Sequence, residues 1–137
     1  MAGSTLHHVV FAVAADRHDE TAALFAEVGF ALQGAQLDEL GVRVSLDWDG
    51  GVELISPLPG STTDVAEHVV HFLTEHGDGV YTVVLKVPSA ADAEAIAHRY
   101  GGATRFQQHI AGDGTYLDEI DLRVRDLPLT FLGTNIP

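Results

Sequence analysis

The feature that most constrains this chain is a strand-like run near its start that recurs 74 residues later. Leu6-His7-His8-Val9-Val10-Phe11-Ala12-Val13 is filled with β-branched and apolar residues, and His8, Val10 and Ala12 share one face at period two. Val80-Tyr81-Thr82-Val83-Val84-Leu85-Lys86-Val87 repeats the pattern: a shift of 74 puts Val9 on Val83, Val10 on Val84 and Val13 on Val87. The same shift puts His8 on Thr82. If both positions face a site, one half supplies an imidazole there and the other only a hydroxyl.

The order of elements after each run repeats as well. After the first, a helix is predicted over 19–28, with Ala22, Ala23, Leu24, Phe25 and Val28 as its apolar face and Gly29 as its stop. Phe30–Leu32 begins a possible strand, and 33–40 reads as a polar loop. Gly41–Trp48 alternates as a strand, Asp49-Gly50-Gly51 signals a hairpin, and Val52–Ile55 returns. A helix from about Ser61 to His76 opens on several possible caps, with Asp64 and Glu67 at capping-box spacing. After the second run, Ser89 caps a helix over 90–100. Thr104–Ile110, Tyr116–Val124 and Leu129–Leu132 read as strands, with Ala111–Gly114 and Arg125–Pro128 as turns. The fold class is therefore α+β: two βαβββ modules, 1–60 and 79–137, joined by a helix over 61–78 in one compact domain. A repeat of this length is too long for a solenoid unit.

Composition narrows the function. Seven basic against twenty acidic residues give a net charge of −13. Such a surface repels nucleic acid and anionic membranes, whose phosphates need clustered Lys and Arg. No apolar run approaches the roughly 20 residues that span a bilayer. No basic stretch precedes an apolar block at the N-terminus, so no signal peptide is expected. The absence of cysteine excludes disulfides, thiolate metal sites and a Cys nucleophile. A cytoplasmic protein fits these features.

The module order, with HHVVFAV at the start and GGVELISPL closing the first half, resembles the vicinal oxygen chelate superfamily of glyoxalases, bleomycin-resistance proteins and extradiol dioxygenases, and within it the methylmalonyl-CoA epimerases. The resemblance implies paired cupped sheets, a homodimer, and a divalent metal held by four side chains. His8 matches the first ligand and Glu53 the second. The third falls on Thr82 and the fourth on Phe131, or on Thr130 after a one-residue slip, so two ligands are expected to be missing, with Glu119 and Asp121 the nearest acidic substitutes. Two protein ligands hold a catalytic divalent ion poorly. No metal and no other cofactor is therefore expected. The epimerases' carboxylate base falls on Glu39 in Asp38-Glu39-Leu40-Gly41-Val42.

These matches give the candidate site. His8 and Glu53 are the expected proton-transfer pair, assisted by Glu39 or Tyr81. Val10, Trp48, Ile55, Thr82, Val84, Leu129 and Phe131 would line a largely hydrophobic cup for a small apolar organic ligand. Two functions fit: a metal-independent isomerase, epimerase or lyase, or a non-catalytic drug-sequestering protein of the bleomycin-resistance type. His68, His71 and Glu75 share a helical spacing but read as a solvated face. His18, His76, His98 and His109 belong to no constellation in the sequence.

Overall fold

A computed structural model describes residues 3–137. Met1 and Ala2, part of the expected first module, lie outside the described residues. The chain forms two compact units, one of His8–Tyr81 and one of Thr82–Pro137 with the segment ending at His7. Each carries the expected βαβββ order.

In the first unit the strands are β1 (Thr5–Ala12), β2 (Gln33–Leu37), β3 (Val42–Asp47) and β4 (Val52–Pro57), and the helices α1 (His18–Glu27) and α2 (Asp64–His76), with a short 3-10 turn over Ala15–Arg17. The strands lie in the order β2-β3-β4-β1. β1 runs parallel to β4, with Val10 opposite Glu53 and Ala12 opposite Ile55, while β4 is antiparallel to β3 and β3 to β2. One stretch departs from expectation: 33–37, read as a loop, is the edge strand β2. All five of its residues are exposed, so it lacks the buried alternate positions that mark a strand in sequence.

Opposite residues in paired strands share a face. Ser45, Leu54, Ser56 and Phe11 therefore lie on the side covered by α1, and His8, Val10, Val44, Leu46, Glu53 and Ile55 lie on the other. The phase of α1 also differs from expectation. His18, Ala22 and Phe25 turn inward, Phe25 meeting Phe11 and Phe30 with ring centroids 5.6 Å apart, while Leu24 and Val28 are exposed. The cap of α2 is Thr63, whose hydroxyl accepts from the Ala66 N–H and donates to the Leu40 carbonyl. Helix α2 therefore holds the turn that precedes β3. Gly41 makes this approach possible: its φ is +71°, and a Cβ there would stand 2.0 Å from Ser61 Oγ.

In the second unit β5 (Gly79–Lys86) leads to α3 (Ala90–Arg99), then β6 (Ala103–Gly112), β7 (Thr115–Val124) and β8 (Leu127–Thr134), with the strands in the order β5-β8-β7-β6. Ser89 caps α3 as expected, accepting from the Asp92 N–H at 3.2 Å. Three alanines, Ala90, Ala93 and Ala97, let α3 settle onto Val87, Ile120 and Leu122. The β6–β7 turn is Asp113-Gly114, both at positive φ, the signature of a two-residue hairpin. The β7–β8 turn is also shorter than expected: β8 begins at Leu127, so Pro128 is a strand residue opposite Arg123.

Candidate functional site

β1 and β4 bring the two leading candidates together. His8 Nε2 lies 3.3 Å from Glu53 Oε1; the imidazole is 4% exposed and the carboxylate 18%. Trp48, just beyond β3, stacks on His8 with ring planes 25° apart and centroids 6.2 Å apart. Val10 and Ile55 lie on the same sheet face as His8 and Glu53. Five of the expected site residues thus share one face of the first unit: His8, Val10, Trp48, Glu53 and Ile55.

Trp48 also walls an open groove of about 490 Å³, with Ala31, Gly34 and Ala35 of the β2 side, Leu46 of β3 and the carboxylate-bearing Asp49 among its other borders. Sequence reasoning missed this groove because it took β2 for a loop.

The two assisting residues lie elsewhere. Glu39 is exposed on the β2–β3 turn. That turn adjoins the Val42–Pro57 end of the ladder, whereas Glu53 pairs with Leu46, four strand residues or about 13 Å away. Tyr81 is buried edge-on against Phe72 of α2, with centroids 5.4 Å apart.

In the second unit the register settles which β8 residue accompanies Thr82. Thr130, not Phe131, bonds it, hydroxyl to hydroxyl at 2.9 Å. Thr130 is opposite Val84 in β5, so Thr82, Val84 and Thr130 share one face. Leu129 and Phe131 point the other way. Leu129 is opposite the fully buried Leu122, and Phe131 packs on the α3 cluster. The expected placement of Leu129 and Phe131 in a ligand cup is therefore corrected: the pairing of β8 with β7 puts them under α3. Of the acidic substitutes, Asp121 accepts two hydrogen bonds from Arg105, at 2.6 and 3.0 Å, and Glu119 lies opposite Leu132.

The resemblance implies a metal at these positions, and the donors test it. His8 and Glu53 offer one nitrogen and one carboxylate. Thr82 and Thr130 offer neutral hydroxyls already bonded to each other. Among the described residues, no three His, Asp or Glu side chains gather where an ion could be held. Divalent ions of the zinc type take three or more strong protein ligands, and the first unit brings together two, His8 and Glu53. His68, His71 and Glu75 stand exposed along α2.

A second polar centre, also missed in the sequence, lies under α1. His18 is fully buried between two serines, with Nδ1 2.7 Å from Ser56 Oγ and Nε2 2.8 Å from Ser45 Oγ. Ser56 donates its only proton to the Val13 carbonyl at 2.6 Å. It must then accept from His18, so Nδ1 carries the hydrogen and Nε2 accepts from Ser45. Burial, reinforced by the Arg43 guanidinium, holds the His18 pKa below its ordinary value. Nearby, Arg43 pairs with Asp19 and pulls that carboxylate below its usual range. Arg17 grips Asp78 with two hydrogen bonds, at 2.7 and 2.8 Å. No described helix is long and apolar enough to cross a membrane.

No family model matches the chain, and no curated protein matches it. Solved structures do. A hypothetical protein from Bacillus halodurans C-125 is 17% identical with a TM-score of 0.66, over 96% of this chain and 94% of the other. Methylmalonyl-CoA epimerase from Mycobacterium tuberculosis is 18% identical with a TM-score of 0.59, over 93% and 86%. A variant of methylmalonyl-CoA epimerase from Streptomyces coelicolor, in complex with 2-nitronate-propionyl-CoA, is 20% identical with a TM-score of 0.61, over 93% and 95%. The fold is that of the vicinal oxygen chelate proteins.

Proposed function

We propose that the protein is a small-molecule enzyme of the isomerase, epimerase or lyase type that moves a proton with His8 and Glu53 and uses no metal. The observation that carries this reading is the 3.3 Å contact between a buried imidazole and a mostly buried carboxylate. A carboxylate withdrawn from water costs free energy unless it is paired, and this one is paired to an imidazole. Trp48 stacked on the imidazole restricts its tilt. The pair can take a proton from an acidic C–H and return it, a step of the kind worth about 10²–10⁴ in rate. The fold, shared with methylmalonyl-CoA epimerases, supports the reaction class. The donor set supports the absence of a metal.

The alternative is a binding protein of the bleomycin-resistance type. It is favoured by one observation: the expected helpers stand apart from the pair, Tyr81 against Phe72 and Glu39 exposed on a turn.

The deciding experiment is proton exchange in D2O, followed by NMR, over a panel of carbonyl compounds with acidic C–H bonds, including methylmalonyl-CoA and apolar ketones. Glu53→Gln keeps a hydrogen-bonding partner for His8 but removes the proton acceptor. At least one compound is expected to exchange with wild type, and Glu53→Gln is expected to slow that exchange 100-fold or more. Equal binding by both proteins with no exchange in any compound would establish the binding reading instead.

A further inference from the structure

We propose that the groove between β2 and Trp48 binds a flat organic cation, which gives a substrate class to the site proposed above and rests on that reading only for what happens after binding. Size is the first argument. A volume of about 490 Å³ lies within the range of small-molecule sites. The lining is the second: Ala31, Gly34 and Ala35 carry almost no side chain, which leaves room for a ring. The same lining includes the Trp48 indole, the only tryptophan in the chain. An indole face attracts both flat rings and positive charge.

Charge is the third argument. The groove is bordered by two carboxylates, Asp47 and Asp49, and by no Lys or Arg. Asp47 is committed to the backbone, accepting from the Ala31 and Gly50 N–H groups at 3.0 and 2.8 Å. Asp49 is exposed at the rim. The chain's charge of −13 adds a field that concentrates cations and repels anions. A ligand bearing phosphates or a free carboxylate meets no counter-charge here, so this groove is unsuited to an acyl-CoA's anionic end. Trp48 stacks on His8 and also borders the groove, so the two sites share one side chain.

The test uses three two-ring probes of nearly one outline: N-methylquinolinium as cation, quinoline at pH 7.5 as neutral ring, and 1-naphthoate as anion. With one tryptophan, a nitrogen-labelled sample gives one indole N–H signal, which reports the groove directly. The cation is expected to bind about tenfold more tightly than quinoline, and 1-naphthoate more weakly than either. Asp49→Asn should weaken the cation threefold or more and leave quinoline unchanged. Ala35→Leu should abolish all binding. If that variant does not fold, Gln33→Trp serves, since Gln33 is exposed, borders the groove and lies opposite Leu46 on the same face as Ala35. An unmoved indole signal at 10 mM cation, equal affinity for cation and quinoline, or unaltered binding in the filled-groove variant would each overturn the proposal. Binding and chemistry fail separately. Probe selectivity without proton exchange leaves the groove and removes the catalytic pair, and exchange without selectivity does the reverse.

Discussion

His18 illustrates how one side chain can organise a helix without any mark in the sequence. Its two serines, Ser45 and Ser56, are 27 and 38 residues away, and only the β3–β4 register puts them side by side under α1. Once there, they fix both ring nitrogens, while burial and the nearby Arg43 guanidinium disfavour the charged imidazole. The consequence for stability has a definite sign. The folded pKa lies below the ordinary 6.5, so at higher pH neither state binds the proton and nothing changes. As pH falls below about 6.5 the unfolded chain takes up a proton that the folded chain refuses, and stability declines until the folded pKa is reached. Asp19 and Asp78, both held below the usual carboxylate range by their arginines, lose their contribution only below about pH 4. The two windows are therefore separate. His18→Ala is expected to lower stability at pH 7.5 by roughly 2–4 kcal/mol, through a cavity and two serines deprived of a partner. It should also flatten the decline between pH 7 and 5 relative to wild type, as measured by urea unfolding. Parallel pH curves for the two proteins would show that His18 titrates normally. The same scale governs Thr130: the resemblance favours Phe131 in the run Leu129-Thr130-Phe131-Leu132, and the pairing of β8 with β5 turns the Thr130 hydroxyl toward Thr82 instead.

At the scale of elements, strands with apolar runs or alternation were legible, whereas the exposed strand β2 and the phase of α1 were not. β1, β3, β4 and β5 carry apolar residues at period two or in continuous runs, so their positions followed from pattern, whereas the His8–Glu53 pairing was implied by the resemblance to the vicinal oxygen chelate proteins. β2 has no buried residue, and its only support is the ladder to β3. In α1 the stretch Ala22-Ala23-Leu24-Phe25 permits several inward phases, and the buried His18 with the Phe25–Phe11 contact selects one. The joint between α2 and β3 rests on Gly41, whose absent side chain leaves room for Ser61 and Thr63. Gly41→Ala forces a left-handed conformation on a residue with a Cβ and drives that atom into both hydroxyls. The cap of α2 and the Leu40 contact would then separate. The expected loss is roughly 2–4 kcal/mol in urea unfolding. Adding Ser61→Gly should restore part of it, because the atoms at 2.0 and 2.9 Å both belong to Ser61. A single variant within about 0.5 kcal/mol of wild type would mean that the turn adapts freely.

For the molecule as a whole, the duplication was visible because two copies of one strand pattern keep the same spacing to the elements after them. The division of chemistry between the halves was visible too: an imidazole and a carboxylate in one, hydroxyls in the other. Net charge acts at this scale alone. Thirteen uncompensated negative charges on a chain of 137 residues repel one another more in the folded state than in the expanded one. The main ion pairs, Arg17–Asp78, Arg43–Asp19 and Arg105–Asp121, use three of the seven basic residues. The first two are largely exposed, and exposed pairs are weak. Screening should therefore help more by reducing repulsion than it harms by weakening attraction. At 0.5 M salt the screening length is a few ångströms. Raising NaCl from 20 mM to 500 mM is expected to add about 1 kcal/mol, or about 3–5 °C in thermal midpoint. Sodium sulfate at equal ionic strength separates this from the salting effect on apolar burial: a rise common to both salts is screening, and an excess in sulfate is not. A midpoint that falls in NaCl would show that the three ion pairs outweigh the repulsion and that the acidic surface carries no net strain.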